Sequence, residues 1–334
     1  MDTKPFTTLN KQMRLLRRRG LEVPPTAKRT LERTGYYSLI NGYKWLFLAR
    51  ESNGNPVSPE RFIPRAKFSD IEAIYDFDNE LRQILYNYLS IYESRLSSVV
   101  AYRFSESYPE PHSYLALDNF TQNPDNIKTV VRTISKLSGT ISFQSDKETA
   151  IKHYVNKHRH VPLWVLVNFL TFGDLNYLFK IMTDDVRIQI AKDFKKYRDQ
   201  TYLKTANYSK YSSIIEPTAI DSINKVVNQF RNSVAHGEVT FSKRLYRPAN
   251  MTPIKRSLEL SGHLNYESTG ETGTFELLLC LKVVLDKNDF KNLLRSFKKM
   301  IDKFQNKFVS IDFDNVLKDM HFPENYHEIL HDHI

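Results

Sequence analysis

With 334 residues, 41% of them hydrophobic and 26% charged, the chain can build one large or two moderate buried cores, and a disordered chain is excluded. The 48 lysines and arginines exceed the 38 aspartates and glutamates by enough to give a net charge of +10. Such an excess favours a polyanionic partner, because each neutralised phosphate releases counterions. The single cysteine, Cys280, excludes an internal disulfide and a cysteine-built zinc site. No apolar run approaches the roughly 18 residues a membrane span needs, so the protein is expected to be soluble, cytoplasmic and not membrane-bound.

From the start of the chain the helical period dominates. Thr8 can cap a short basic helix running to Arg19, with Gly20 as its stop signal. Pro25 and Thr26 open a second helix, followed by the aromatic segment GYYSLINGYKWLFL (35–48) and a polar loop, RESNGNPVSPE (50–60). Ser69 to Glu72 reads as a capping box. Behind it Ile71, Ile74, Tyr75, Leu81, Ile84, Leu85, Tyr88, Ile91 and Tyr92 keep one face apolar in a long helix reaching about Phe104.

Pro109, Pro111 and Pro124 break up the next stretch, where short helices and loops are expected as far as Asp146. Pro162 then opens an apolar helix, VPLWVLVNFLTFG (161–173), that Gly173 stops. Asp174 can cap a following helix, and Asp184 or Asp185 a basic one through Tyr197. Thr218 starts a helix whose buried stripe is Ile223, Val226, Val227, Phe230 and Val234. Beyond it VTFSKRLYRPANMTP (239–253) reads as a basic loop and SGHLNYESTGETG (261–273) as a polar, exposed one. Two more helices are expected, from Phe275 to Leu285 and from Asp289 to about Lys307; Cys280 lies in the first as a buried thiol. Helices so outnumber convincing strands that the fold class is all-α. The expected organisation is an N-terminal basic helical region (1–60), a helical bundle (61–310) and a C-terminal tail (311–334).

One octet stands out, FRNSVAHG (230–237). At about 100° per residue, with the apolar stripe near 0°, Asn232 falls at about 180° and His236 at about 220°. Both point away from the core, one turn apart, while Arg231 lies on the flank with a side chain long enough to bend toward them. A helix C-terminus favours imidazolium, and arginine supplies a permanent charge suited to phosphate. The octet reads either as an ordinary helix end, with His236 capping it, or as a site.

Other clusters carry less. His153, His158 and His160, and at the other end His327, His331 and His333, lack a well-placed further ligand and read as solvated rather than metal-binding. Glu93 and Arg95, two apart on a helix, do not face each other and are expected to pair separately within the bundle; Asp76 and Asp78 have the same spacing. Arg14, Arg17, Arg18, Lys28, Arg29 and Arg33, interleaved with Tyr36 and Tyr37, form a basic face. Such a face suits an RNA backbone with base stacking, or is simply a solvated surface.

RNSVAH (231–236) resembles the arginine–histidine motif of the HEPN-domain ribonucleases. LNKQMRLLRRRGL (9–21), GYYSLINGY (35–43), IYDFDNELRQIL (74–85) with IYESRL (91–96), VPLWVLVNFLTFGDL (161–175) and RNSVAH occur in that order. As a series they resemble the AbiD/AbiF-type abortive infection proteins of bacterial phage defence. The resemblance implies a HEPN-like helical bundle and RNA as partner, cleaved without cofactor or metal. It further implies control by a cognate structured noncoding RNA in a toxin–antitoxin arrangement. By position, Arg231 would contact the scissile phosphate, His236 would transfer the proton and Asn232 would orient the histidine or the backbone. Lys243, Arg244 and Arg247 in GEVTFSKRLYR (237–247) are candidates for RNA binding but match no family position. Relatives build their groove from two motifs, and this chain carries one. Either a homodimer supplies the second, or the protein is an RNA-binding module with a dormant site.

Overall fold

The computed structural model describes residues 6–200, 211–260 and 270–333. Among these the regular structure is helical, and β contacts are confined to isolated bridges such as Leu48 to Phe62 and Arg50 to Pro56. The all-α expectation therefore holds. In chain order the helices are α1 (Leu9–Arg18), α2 (Ala27–Thr34), α3 (Phe68–Ser107), α4 (Ile127–Ser145), α5 (Ala150–His158), α6 (Leu163–Leu166) and α7 (Phe172–Ile181). They continue with α8 (Asp184–Asp199), α9 (Pro217–Ala235), α10 (Thr252–Ser257), α11 (Thr274–Val284), α12 (Lys287–Phe304), α13 (Phe313–Asp319) and α14 (Tyr326–His331).

Several ends follow the sequence signals. The Thr8 hydroxyl accepts from Lys11 N at 3.4 Å, and Gly20 turns the chain out of α1 at φ +96°. Others differ. α3 begins at Phe68, before the expected capping box. Asp70, fully buried, instead accepts from the backbone N–H of Val309 and Ser310 and from the Ser310 hydroxyl at 3.1, 3.2 and 2.6 Å. The expected helix over 161–173 is only the short α6 and a 3-10 turn, Val167–Phe169. Gly173 does not stop it but sits inside α7, because Thr171 and Asp174 form a reciprocal capping box just upstream. The proline-broken stretch resolves into 3-10 turns followed by the regular 19-residue α4. The polar loop 261–273 lies, as far as residue 269, outside the described residues.

Contacts group the chain into two units, each drawn from separated stretches. The first comprises residues 1–85, 233–243 and 294–322, and the second 86–232, 244–293 and 323–334. α3, α9 and α12 each contribute to both. The grouping follows contacts rather than the linear order 1–60, 61–310 and 311–334.

In the first unit the Phe77 ring meets Phe304 and Phe313 edge-on at 5.7 and 5.6 Å, and Phe297 stacks on Phe322 at 5.4 Å. Aromatic pairs of this kind contribute about 0.5–1.5 kcal/mol each beyond area burial. With them Phe313, Val316, Met320 and Phe322, in the stretch expected as part of a tail, are buried in this unit. In the second unit every residue of α11 is buried, and α8, α10 and α14 pack around it. A helix apolar all round belongs at the centre of a bundle. Its two charged residues are satisfied: Glu276 accepts from Gly273 N at 2.7 Å, and Lys282 donates to the Ile329 carbonyl at 2.6 Å.

Candidate functional site

The octet forms the end of α9. Ile223, Val226, Val227 and Phe230 are fully buried, as the helical period requires, and with them Asn224 and Ser233. Val234, expected on the same stripe, is only half-buried; Ser233 takes the inward position in the last turn.

The cap itself is a Schellman motif. Gly237 takes φ +67°, its N–H donates to the Val234 carbonyl at 3.3 Å, and Glu238 N–H donates to the Ser233 carbonyl at 3.0 Å. His236 is thus the C-cap residue, as one reading of the octet had it. The cap is made by backbone, however, and the imidazole is exposed and makes no hydrogen bond among the described residues. Asn232 is likewise exposed without a hydrogen bond. Arg231 is half-buried, and its Nε donates to Glu93 Oε2 on α3 at 3.3 Å. Arg231, Asn232 and Glu93 belong to the second unit, and His236 to the first.

Glu93 and Arg95 do pair separately. Arg95 bonds Asp286 and Asp289, both at 3.2 Å, and lies over the Tyr197 ring. What the spacing could not show is that the partner of Glu93 is the motif arginine.

The segment after His236 is held by a second acid that sequence reasoning set aside. Asp78 on α3 is fully buried and accepts from Phe241 N at 2.7 Å and Thr240 N at 3.1 Å. It also accepts from the Tyr43 hydroxyl at 2.7 Å and pairs with Arg82 one turn along α3. Arg82 also reaches the Glu238 carbonyl at 3.1 Å, and the Tyr43 ring stacks on Phe241 at 6.1 Å. Burial pushes the Asp78 carboxyl and the Tyr43 phenol up, against the opposing pull of Arg82 on both. A signal for Asp78 did exist: it stands three and four residues from Leu81 and Ile74 on the apolar stripe, and a buried acid must find donors. Asp76, by contrast, is exposed. Tyr43, Asp78 and Arg82 come from GYYSLINGY and IYDFDNELRQIL, so two of the quoted segments meet the chain just beyond a third.

The basic candidates divide. Arg14 and Arg18 are exposed and line a shallow groove of about 340 Å³ on α1 with Lys11. Arg17 is structural, donating twice to the Val23 carbonyl at 3.0 and 2.7 Å. Lys28 stands 3.9 Å from Glu32, while Arg29, Arg33 and Tyr37 are exposed and Tyr36 is half-buried. Lys243 pairs with Glu238 and Arg244 with Glu271 at 3.3 and 3.0 Å; Arg247 is exposed. His112 and His160 approach to 5.0 Å and His153 and His158 to 5.9 Å, but no group of three or more metal-ligating side chains occurs among the described residues. No helix among them is long and apolar enough to cross a membrane.

In comparison with known proteins, the sequence model of one family, described as Abi-like protein, matches residues 29–242. That span holds the α9 octet, Glu93, Asp78 and the segment beyond His236. No curated protein and no solved structure matches the chain.

Proposed function

The chain belongs to the family of Abi-like proteins, and from that premise we propose that it is an abortive-infection effector of phage defence, of AbiD/AbiF type, acting on RNA through a HEPN-like site. The reading is a cytoplasmic endoribonuclease toxin that needs no metal or cofactor and is held in check by a cognate structured noncoding RNA. The observation that carries it is the end of α9: backbone hydrogen bonds cap the helix, and the side chains of Asn232 and His236 are left exposed and, among the described residues, without hydrogen bonds. An exposed imidazole with no structural duty is available for proton transfer.

In the reaction the RNA 2′-oxygen attacks the adjacent phosphorus as His236 accepts its proton. The bond from phosphorus to the 5′-oxygen breaks, and that oxygen takes a proton from an imidazolium. The products are a 2′,3′-cyclic phosphate and a 5′-hydroxyl. Arg231 neutralises charge building on the phosphate, and Asn232 orients the strand. A homodimer would supply the second motif, so that one histidine acts as base and its counterpart as acid. Incubation of single-stranded RNA with the protein in EDTA tests this. Cyclic-phosphate ends that vanish with His236→Ala are expected; intact RNA, or equal cleavage by the variant, overturns the reading.

One observation favours a second reading. The Arg231 guanidinium donates its Nε to Glu93 at 3.3 Å, and a carboxylate beside the motif arginine competes with a phosphate for it, as suits a module that holds a specific noncoding RNA with its nuclease site dormant. A discrete RNA that copurifies with the protein, together with no cleavage after its removal, would establish this second reading.

A further inference from the structure

α4 carries three charged side chains, Lys128, Arg132 and Lys136, and no acidic one. Spaced four residues apart, they share one face with about 6 Å of rise between neighbours. Like charges at that spacing repel and destabilise a helix, so helix stability does not account for the pattern. All three are exposed, and Lys128 and Arg132 form no ion pair among the described residues. Together with Tyr177 of α7 they line a groove of about 430 Å³ whose floor includes Leu137.

The one carboxylate in the lining is Asp174. It is committed to the N-terminus of α7, accepting from Thr171 N at 3.1 Å and from the Thr171 hydroxyl at 2.8 Å, and Lys136 stands 3.9 Å away. Three cations against this one carboxylate leave the lining net positive. Tyr177 leaves 51% of its surface exposed beside it. A row of cations along one wall and an open aromatic ring at the other is the chemistry that tracks a phosphate backbone while stacking an unpaired base. A duplex would present no free base face to the ring.

We propose that this groove binds single-stranded RNA, with Lys128, Arg132 and Lys136 on successive phosphates and a base stacked on Tyr177. The proposal rests on the reading of RNA as the partner but not on its cleavage. None of these residues belongs to the arginine–histidine motif or to the basic face of α1 and α2.

The test uses full-length protein carrying His236→Ala, in EDTA, and a short fluorescein-labelled oligouridylate whose anisotropy is followed across a salt series. Single-strand contacts each contribute about 0.7 to the slope of log affinity against log salt. K128Q/R132Q/K136Q is therefore expected to reduce the slope by about 2 and to weaken binding at least tenfold at low salt. Tyr177→Ala is expected to weaken the oligouridylate by about tenfold while leaving an abasic ribose-phosphate strand of equal length unaffected. An unchanged slope in a triple variant with unchanged helix content and melting overturns the proposal. So does a triple variant that keeps its RNA affinity but loses binding to phosphatidylserine vesicles, which would make the face a membrane contact. Cleavage by the protein with His236 intact is scored apart. Groove-dependent binding without cleavage overturns only the nuclease reading, and cleavage with groove-independent binding overturns only the groove.

Discussion

His236 and Arg231 lie five residues apart in the sequence yet are held by different chemistry. Around His236 the backbone is fixed and the side chain is exposed: Gly237 closes the Schellman turn, and Asp78 and Arg82 grip the chain from Glu238 to Phe241. At Arg231 the helical backbone needs no help, and the side chain is held by Glu93. One end of the motif is thus built to place an unencumbered imidazole, and the other to restrain a guanidinium. The contrast separates the two kinds of variant: backbone supports should show in stability, and the side-chain restraint should show in ligand binding.

The largest effect is expected from Asp78→Ala. Removing one partner of a buried pair leaves Arg82 uncompensated and the Thr240 and Phe241 amides without their acceptor, at a cost of about 3–5 kcal/mol. Chemical denaturation measures it, and a loss below 1 kcal/mol would mean that stacking of Tyr43 on Phe241 secures the segment instead. Gly237→Ala comes next. A Cβ there meets no atom within 4 Å, so the cost is the left-handed backbone alone, about 1 kcal/mol. Its melting temperature should fall without loss of helix content.

Glu93→Gln should leave stability nearly unchanged, because both partners are partly exposed and such pairs contribute less than about 1 kcal/mol. Binding should respond: with the carboxylate charge gone, Arg231 is freer for a phosphate, and RNA affinity in a His236→Ala background should rise several-fold by anisotropy. Weaker binding would show that Glu93 orients the arginine rather than competing for it. The smallest stability effect belongs to Asn232→Ala and His236→Ala, each within about 0.5 kcal/mol of the parent, while RNA cleavage disappears. A larger destabilisation would assign these side chains a structural role.

How far these features are legible in the sequence varies by residue. The outward placement of Asn232 and His236 follows from the period of α9, since Ile223, Val227 and Phe230 fix the register. The separate pairing of Glu93 and Arg95 follows from their spacing. α4 was not legible. Its threonines, valines and isoleucines have weak helix propensity, prolines crowd the approach, and packing against α5, α6 and α7 supplies the helix. With the helix went the alignment of Lys128, Arg132 and Lys136, which only a helical period brings onto one face. Likewise Gly173 reads locally as a stop, but the capping box of Thr171 and Asp174 overrides it.

Local periodicity, capping residues and charge balance by themselves determined the all-α class, the long α3, the basic character and the exposed end of α9. These depend on neighbours within a few turns, where helical geometry is fixed. Only the tertiary structure decided which charges meet. Arg231 and Glu93 are 138 residues apart in sequence, and Asp78 and Phe241 are 163 apart. A charge buried that far from its partner carries a requirement for compensation but no address, and packing alone supplies the address.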